Sequence, residues 1–328
     1  PRPFDARLAQ NLVAQGANLN PRQFGSGTTP LMGAANQGQV EIVRRLVSLG
    51  DGGPSPVGGG GRPLVDATGM TPLHHACATD AEGLTDIVDM LAGACAGDAA
   101  CINARDDAGR TPLATCINQL GLVYILSRPL QNPYVLAVQN LIEVYGADVN
   151  TPDFLGHTPL MMAARRKKAT VVDALLKHGD LIDLEAKDVQ GNTALMHASE
   201  WFSWTVTVAT KIAAGVDLLE IVELHAFDGV AEKCQQALAR SALMVSEELA
   251  PDGSMSFVDA GSDAVTRALV DCTFFTRIAN ALLSAGARVD TKNARGETAL
   301  HVAHPFMVGS MRKHLVTLAG KKKGDTNK

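Results

Sequence analysis

The chain has 328 residues, of which 46% are hydrophobic and 19% charged, and its formal net charge is −5. This much apolar surface excludes a chain that is disordered as a whole, and an aromatic content of 4% favours thin helical layers over a β-sandwich or barrel. Nine Lys and Arg stand against fourteen Asp and Glu before residue 165, and twenty of each sign follow, so no basic stripe forms. We therefore expect no nucleic acid among its partners.

A triplet that begins with Thr recurs along the chain and organises it. Each copy reads Thr-Pro-Leu or Thr-Ala-Leu, and the copies begin at Thr29, Thr71, Thr111, Thr158, Thr193 and Thr298. The first five are separated by 42, 40, 47 and 35 residues, whereas the last gap spans 105. A recurrence at roughly 33 residues with insertions is typical of a repeat protein. The sequence therefore predicts a stack of repeated units.

Each unit contains signals for two helices. Thr offers a hydroxyl to the unpaired N–H groups of a helix N-terminus, and Pro at the first helical position costs no hydrogen bond. Small residues such as Ala34-Ala35 and Ala163-Ala164 then let a short inner helix approach its neighbour closely. A second apolar segment follows, such as Val40 to Leu49 or Val171 to Leu176, and it often ends in Gly, the usual helix stop. We expect a helix-turn-helix in each unit.

This pattern resembles the ankyrin repeat, whose units read Asp-x-x-Gly-x-Thr-Pro-Leu-His-x-Ala-Ala, then a second helix, then Gly-Ala-Asp. The match is fullest in Asp153 to Ala164 followed by Val171 to Gly179, and it is good from Asp66 to His74. The resemblance covers nearly the whole chain. It implies an all-α solenoid of stacked helix-turn-helix units with short β-hairpin-like tips, about seven units plus a truncated N-terminal one.

The resemblance also divides the chain into parts. The predicted parts are a truncated capping unit at 1–20, repeats one to five at 21–217, an enlarged, degenerate acidic helical unit at 218–290, a last repeat at 291–320 and a basic disordered tail at 321–328. The enlarged unit is our interpretation of the 105-residue gap. It contains two apolar-periodic segments, Ala231 to Leu249 and Ala264 to Ala285, which we expect to form long helices.

Three inserts lengthen the repeats, at 51–65, 96–103 and 122–133. The first is rich in Gly and Pro, so we expect it to be flexible, and we expect the first two to lie near the tips. The run Gly59 to Gly61 in the first insert is not a phosphate-binding loop, because no Gly-Lys-Ser/Thr follows and no strand is predicted before it. The third insert lengthens the turn between the two helices of repeat three.

The sequence offers little catalytic or metal-binding chemistry. The six cysteines show no Cys-x-x-Cys and no other close pairing, so we expect reduced thiols without a disulfide framework or a zinc site. His74-His75 and His301 with His304 are possible metal ligands, but no Cys or carboxylate completes a set. The resemblance implies instead that a His after Thr-Pro-Leu hydrogen-bonds within and between repeats. We predict no metal, no cofactor and no enzymatic activity.

Basic and apolar runs bear on location. Arg165 to Lys168 and Lys321 to Lys323 are either nuclear import signals or anion contacts, or they are simply solvated surface. No apolar stretch is long enough to span a bilayer. We expect an intracellular and by default cytoplasmic protein, with nucleus or organelle as alternatives, because the chain begins at Pro1 and a targeting segment can have been removed.

The resemblance implies a protein-protein interaction scaffold or adaptor, or a subunit of a larger assembly, that binds another protein through its concave face and hairpin tips. The alternatives are an enzyme or small-molecule sensor with a site at 218–290, and a nuclear regulatory protein. The family's contact positions fall on Asp107, Arg110, Asn118, Gln119, Phe154, Leu155, His157, Arg165, Arg166, Val189, Gln190, Asn192, Glu200 and Trp201. The tip at Phe154-Leu155 is the strongest of these candidates, while Trp201 with Trp204 either anchors a partner or fills a junction.

Overall fold

The computed structural model describes residues 21–48, 57–58, 62–79, 83–95, 98–119, 133–200, 264–303, 307–309, 311–312 and 315–316. Among these residues, those up to 159 form one compact unit and those from 160 onward form a second. The predicted capping unit at 1–20, residues 218–263 of the predicted enlarged unit and the tail at 321–328 lie outside the described residues.

The first unit consists of helix pairs, each with an inner helix and an outer helix. In chain order its helices are α1 (Pro30–Asn36), α2 (Val40–Ser48), α3 (Pro72–Cys77), α4 (Leu84–Ala94), α5 (Ala99–Ile102), α6 (Pro112–Gln119) and α7 (Pro133–Glu143). The inner helices α1, α3 and α6 pack side by side, and the outer helices α2, α4 and α7 pack against one another and against their own inner helices. The predicted helix-turn-helix stack is confirmed in this unit.

The Thr of the triplet starts the inner helices as predicted. Thr29 and Thr71 are extended N-cap residues, and Pro follows each at the first helical position. The Oγ1 of Thr71 accepts a hydrogen bond from the backbone N–H of His74 at 3.3 Å. Such a cap contributes about 1 kcal/mol to helix stability. The Leu of the triplet is the core residue, since Leu73 and Leu113 are each 1% exposed.

Glycine ends the outer helix α7 where the sequence predicts it. Gly146 follows α7 with a φ of 67°, and the next residue, Ala147, donates its N–H to the carbonyl of Leu141 at 2.8 Å. The left-handed backbone at Gly is accessible without the strain that a Cβ would introduce. The connection after α4 is different, because Cys95 and Cys101 form a disulfide. The prediction that all six thiols are reduced is therefore wrong for this pair, whose close approach depends on α5.

The first two inserts lie together. Two short strands, β1 (Val57–Gly58) and β2 (Arg62–Pro63), pair antiparallel with Val57 opposite Pro63. Strand β2 contacts α5, which belongs to the second insert. The expectation that no strand precedes the Gly run is thus wrong, although the run still lacks a following Gly-Lys-Ser/Thr. The third insert lies almost entirely outside the described residues.

The second unit contains α8 (Pro159–Arg165), α9 (Ala169–Leu176), a helical segment at 194–200, α10 (Ala264–Ser284) and α11 (Ala299–Val302). Helix α10 agrees with the predicted segment Ala264 to Ala285. It packs against α9, where Arg277 forms an ion pair with Asp173 at 2.6 Å. The segment after α10 contacts the segment after α9, where the N–H of Arg288 donates a hydrogen bond to the carboxylate of Glu185 at 2.8 Å.

These contacts show which described helices are neighbours across the long gap between the last two triplets. Helix α9 is the outer helix of repeat four, so a helix that packs on α9 holds the place of the next outer helix. We infer that α10 is the outer helix of repeat five, whose inner helix is the segment 194–200. The separate unit at 218–290 stays a prediction, because residues 218–263 lie outside the described residues.

Candidate partner-binding surface

Every repeat after the first enters its inner helix through a five-residue turn, here called its tip. The tips are 66–70, 106–110 and 153–157 in the first unit, and 188–192 and 293–297 in the second. Each begins with Asp, or with Asn in the last. In the tip of repeat three, Oδ1 of Asp106 accepts N–H groups from Ala108 at 2.9 Å and Arg110 at 2.8 Å. The same two bonds occur in the other four tips. The side chain thus closes the turn.

Within each unit, neighbouring tips are joined by backbone hydrogen bonds. The N–H of Asp107 donates to the carbonyl of Thr68, and the N–H of Phe154 donates to that of Ala108, both at 3.0 Å. In the second unit the N–H of Ala294 donates to Gln190 at 2.9 Å in the same way. A glycine makes this approach possible, since a Cβ on Gly109 would lie 2.8 Å from the backbone N of Phe154. The tips are therefore positioned by their neighbours.

The second carboxylate oxygen of each tip Asp holds a basic side chain. Asp106 pairs with Arg110 at 2.7 Å, and Asp153 approaches Nδ1 of His157 at 3.2 Å. Asp66 pairs with His75 at 2.9 Å. Burial opposes ionisation of Asp66, but the hydrogen bonds from Thr68, Met70 and His75 outweigh it and hold the pKa of this carboxyl below its usual value. The tip carboxylates are structural acceptors.

This pairing changes the interpretation of three predicted contact residues. Arg110 and His157 bind the Asp of their own tip. Asn192 is 6% exposed, and its Oδ1 accepts a hydrogen bond from Asn293 at 3.0 Å. Each occupies the fifth tip position, where the side chain turns inward and hydrogen-bonds within the protein. Their assignment to the partner surface stays a prediction, although their side chains already hydrogen-bond within the protein.

His74 confirms the hydrogen bonding expected after Thr-Pro-Leu. Its Nδ1 lies 2.9 Å from Oγ1 of Thr71, and its Nε2 lies 2.9 Å from the carbonyl of Arg110 in the next repeat. Burial lowers the pKa of His74 to about 4, although the bond to Arg110 opposes the shift. The ring is therefore neutral at pH 7 and links two repeats as a structural group.

Phe154 and Leu155 are exposed apolar residues in the tip of repeat four. Their exposed fractions are 64% and 57%. One face of the Phe154 ring is covered by the guanidinium of Arg105, whose carbon lies 5.1 Å from the ring centroid. Arg105 is itself fixed, because its Nη2 donates to Pro152 at 2.7 Å and its Nε to Gly109 at 3.1 Å. The phenyl ring is held in place while its other face remains open to solvent.

Sequence reasoning missed Arg105 and Gly109. Arg105 is one residue before the tip Asp of repeat three, and it reaches the tip of repeat four, 49 residues further along the chain. The only available signal was the fixed place of both residues relative to the Thr-Pro-Leu triplet. Such a contact across repeats becomes visible once the units are stacked in register.

The other candidates of the first unit lie along the same tips and inner helices. Asp107 is exposed in the tip of repeat three, next to Ala108. At the end of α6, Asn118 is half-buried and Gln119 is exposed. Asp107 and Gln119 are therefore accessible to a partner.

Candidates of the second unit are similarly divided. Val189 is 69% exposed, and Gln190, Arg166 and Glu200 are exposed as well. Arg165 is half-buried at the end of α8. Trp201 and Trp204 lie outside the described residues.

The basic run Arg165 to Lys168 forms the turn between α8 and α9. Lys168 is the residue before α9 and is 2% exposed, and Lys167 has a left-handed backbone with a φ of 60°. The solvated-surface interpretation is wrong for Lys168, which is buried. Lys321 to Lys323 lie outside the described residues.

Comparison with known proteins gives a consistent family match. The family model described as ankyrin repeats, in three copies, matches residues 4–100 and 126–208. The neurogenic locus Notch protein of Drosophila melanogaster is 34% identical over 108 residues, which are 33% of this chain and 3% of that protein. Neurogenic locus notch homolog protein 1 of Homo sapiens is 28% identical over 188 residues, 56% of this chain and 6% of that protein. Zygote-specific protein 3 of Chlamydomonas reinhardtii is 33% identical over 106 residues, 30% of this chain and 28% of that protein.

The chain thus matches far less than two thirds of the length of these relatives. Among solved structures, the ankyrin repeat domain of Bcl-3 has a TM-score of 0.56 at 21% identity, covering 94% of this chain and 91% of that chain. The ankyrin repeat protein EF0377 has a TM-score of 0.51 at 17% identity, covering 87% and 96%. At these identities the likeness shows the fold alone. Among the described residues, no helix is both long and apolar enough to cross a bilayer.

Proposed function

We propose that this chain, which belongs to the ankyrin repeat family, is a scaffold or adaptor, or a subunit of a larger assembly, and that it binds a partner protein through the tips of its first unit. Ankyrin repeats are in general modules for protein-protein interaction. The observation that supports this site is the exposed Phe154-Leu155 pair, with the Phe154 ring held by Arg105. The proposal includes no catalytic activity.

The fixed position of Phe154 favours a binding role over incidental exposure. A side chain that is ordered before binding loses little conformational entropy when a partner covers it. Large apolar and aromatic side chains at the centre of a patch contribute most of the binding energy in many interfaces. The ring of Phe154 meets both conditions, because one face is packed against Arg105 and the other is open.

The surroundings of the pair fit the edge of an interface. Asp107 is exposed beside it in the preceding tip, and the guanidinium of Arg105 lies over the ring. Interfaces commonly combine an apolar centre with a polar rim. We propose a partner that inserts an apolar side chain against Phe154 and Leu155 and places polar groups near Asp107 and Arg105. In the second unit, Val189 with Gln190, and Arg166 with Glu200, stay candidate contacts.

The test first names the partner and then measures its affinity. Affinity purification of the full chain from its native source, followed by mass spectrometry, identifies the bound protein. The purified partner is then titrated against wild type and the Phe154→Ala/Leu155→Ala variant. We expect an affinity loss of about thirtyfold or more, as for the loss of an interface anchor worth about 2 kcal/mol.

Val144→Ala is the matched control. Val144 is 66% exposed, follows α7 and lies in the same unit, so its truncation removes exposed apolar surface away from the tips, though less than the double variant removes. We expect this variant to bind as wild type does. Unchanged affinity of the double variant, with a circular dichroism spectrum like that of wild type, would contradict the proposed site.

A further inference from the structure

The disulfide between Cys95 and Cys101 ties the end of α4 to α5. Cys95 is the C-cap residue of α4 and Cys101 lies within α5, and their Cα atoms are 5.8 Å apart. Both residues are buried, with exposed fractions of 2% and 1%. Helix α5 is only four residues long, and a single helical turn has no stability of its own. The covalent link therefore matters for holding α5 in place.

The chain that leaves α5 leads directly to the residues that hold the tip of repeat four. Asn103 accepts the N–H of Asp148 on its side-chain oxygen at 2.8 Å. Two residues later, Arg105 donates to Pro152 at 2.7 Å and covers the ring of Phe154. Only three residues lie between Cys101 and Arg105, so the disulfide is close in the chain to these contacts.

We propose that Cys95–Cys101 is a redox modification site, and that its reduction by a dithiol loosens the Asn103 and Arg105 contacts and so disorders the tip at Phe154. In the exchange, the S–S bond of the protein breaks and Cys95 and Cys101 each gain a hydrogen. The dithiol gives up its two thiol hydrogens, that is two protons and two electrons in all, and forms its own S–S bond. No other co-reactant is needed.

The other described cysteines are poor competitors in this exchange. Cys77 and Cys116 are buried thiols on the neighbouring inner helices α3 and α6. The hydrogen bond to Cys116 and burial both raise the pKa of the Cys77 thiol, which suppresses the thiolate that would attack a disulfide. Because Cys95 and Cys101 are buried, the external dithiol reaches them through local unfolding of the four-residue helix α5.

The consequence for binding rests on the proposed function, but the structural test does not need a partner. Hydrogen-deuterium exchange of the full chain is measured by mass spectrometry before and after treatment with dithiothreitol. We expect segment 148–158, which includes the amides of Asp148 and Phe154, to exchange at least about tenfold faster after reduction. Helix α9 in the second unit should exchange at an unchanged rate.

The Cys95→Ala/Cys101→Ala variant is the control for the other thiols. Without reductant it should exchange as the reduced wild type does, and dithiothreitol should change it no further. Two results would overturn the proposal. One is unchanged exchange of 148–158 after alkylation has shown that Cys95 and Cys101 are both reduced. The other is alkylation of both cysteines before any reductant is added. Failure of the Phe154→Ala/Leu155→Ala binding test would refute the proposed function without affecting these outcomes.

Discussion

Gly109→Ala should destabilise the first unit through the contact between two tips. Gly109 has a φ of 79°, a conformation that costs a residue with a Cβ about 1 kcal/mol. The new Cβ would lie 2.8 Å from both the backbone N and Cδ1 of Phe154, and 2.9 Å from Nη2 of Arg105. The backbone N cannot move away without weakening its hydrogen bond to Ala108, which contributes about 1 kcal/mol. Displacing Arg105 from the ring costs about 0.5–1 kcal/mol more.

These terms predict a loss of about 3 kcal/mol in the free energy of unfolding, measured by urea denaturation followed by circular dichroism. Gly146→Ala separates backbone strain from the contact, because Gly146 has a φ of 67° but nothing within 4 Å of an added Cβ. That control should lose only about 1 kcal/mol. Equal losses in the two variants would refute the argument that the glycine is needed for the approach of the tips.

Two further predictions concern buried polar groups of the first unit. Lowering the pH from 6.5 to 4 should destabilise the protein, because burial lowers the pKa of His74 to about 4 and the folded protein then binds fewer protons at this ring than the unfolded chain does. The loss in the free energy of unfolding from His74 approaches about 3 kcal/mol. Thermal unfolding of His74→Asn should show a weaker acid dependence than that of wild type. Asp106→Ala removes the acceptor of two N–H groups and the partner of Arg110, so it should lower the free energy of unfolding in urea by about 3 kcal/mol. Asp107→Ala, at the exposed neighbour, should lower it by about 0.5 kcal/mol or less. Similar losses in the two variants would contradict the role of Asp106 in closing the turn.

The helices and their starts could be predicted from local sequence because their causes are local. Thr71 caps the residue three positions on, and Gly146 ends a helix through its own backbone freedom. The periodic triplet adds a second local signal, which also makes the family recognisable. The same reasoning located the exposed Phe154-Leu155 tip, since a repeat in known register assigns each tip residue a position.

Only the tertiary structure shows the contacts between residues that are far apart in the chain. Arg105 covers Phe154, and α10 packs on α9 across a long stretch of sequence. Cys95 and Cys101 are close in sequence, yet their pairing depends on how α5 is placed against α4. The spacing of motifs gives only the number of residues between them. Which helices pack together depends on which apolar surfaces bury each other away from water. For this protein the local signals determined the repeated unit, and only the tertiary structure showed which tip side chains hydrogen-bond within the protein and which are exposed to solvent.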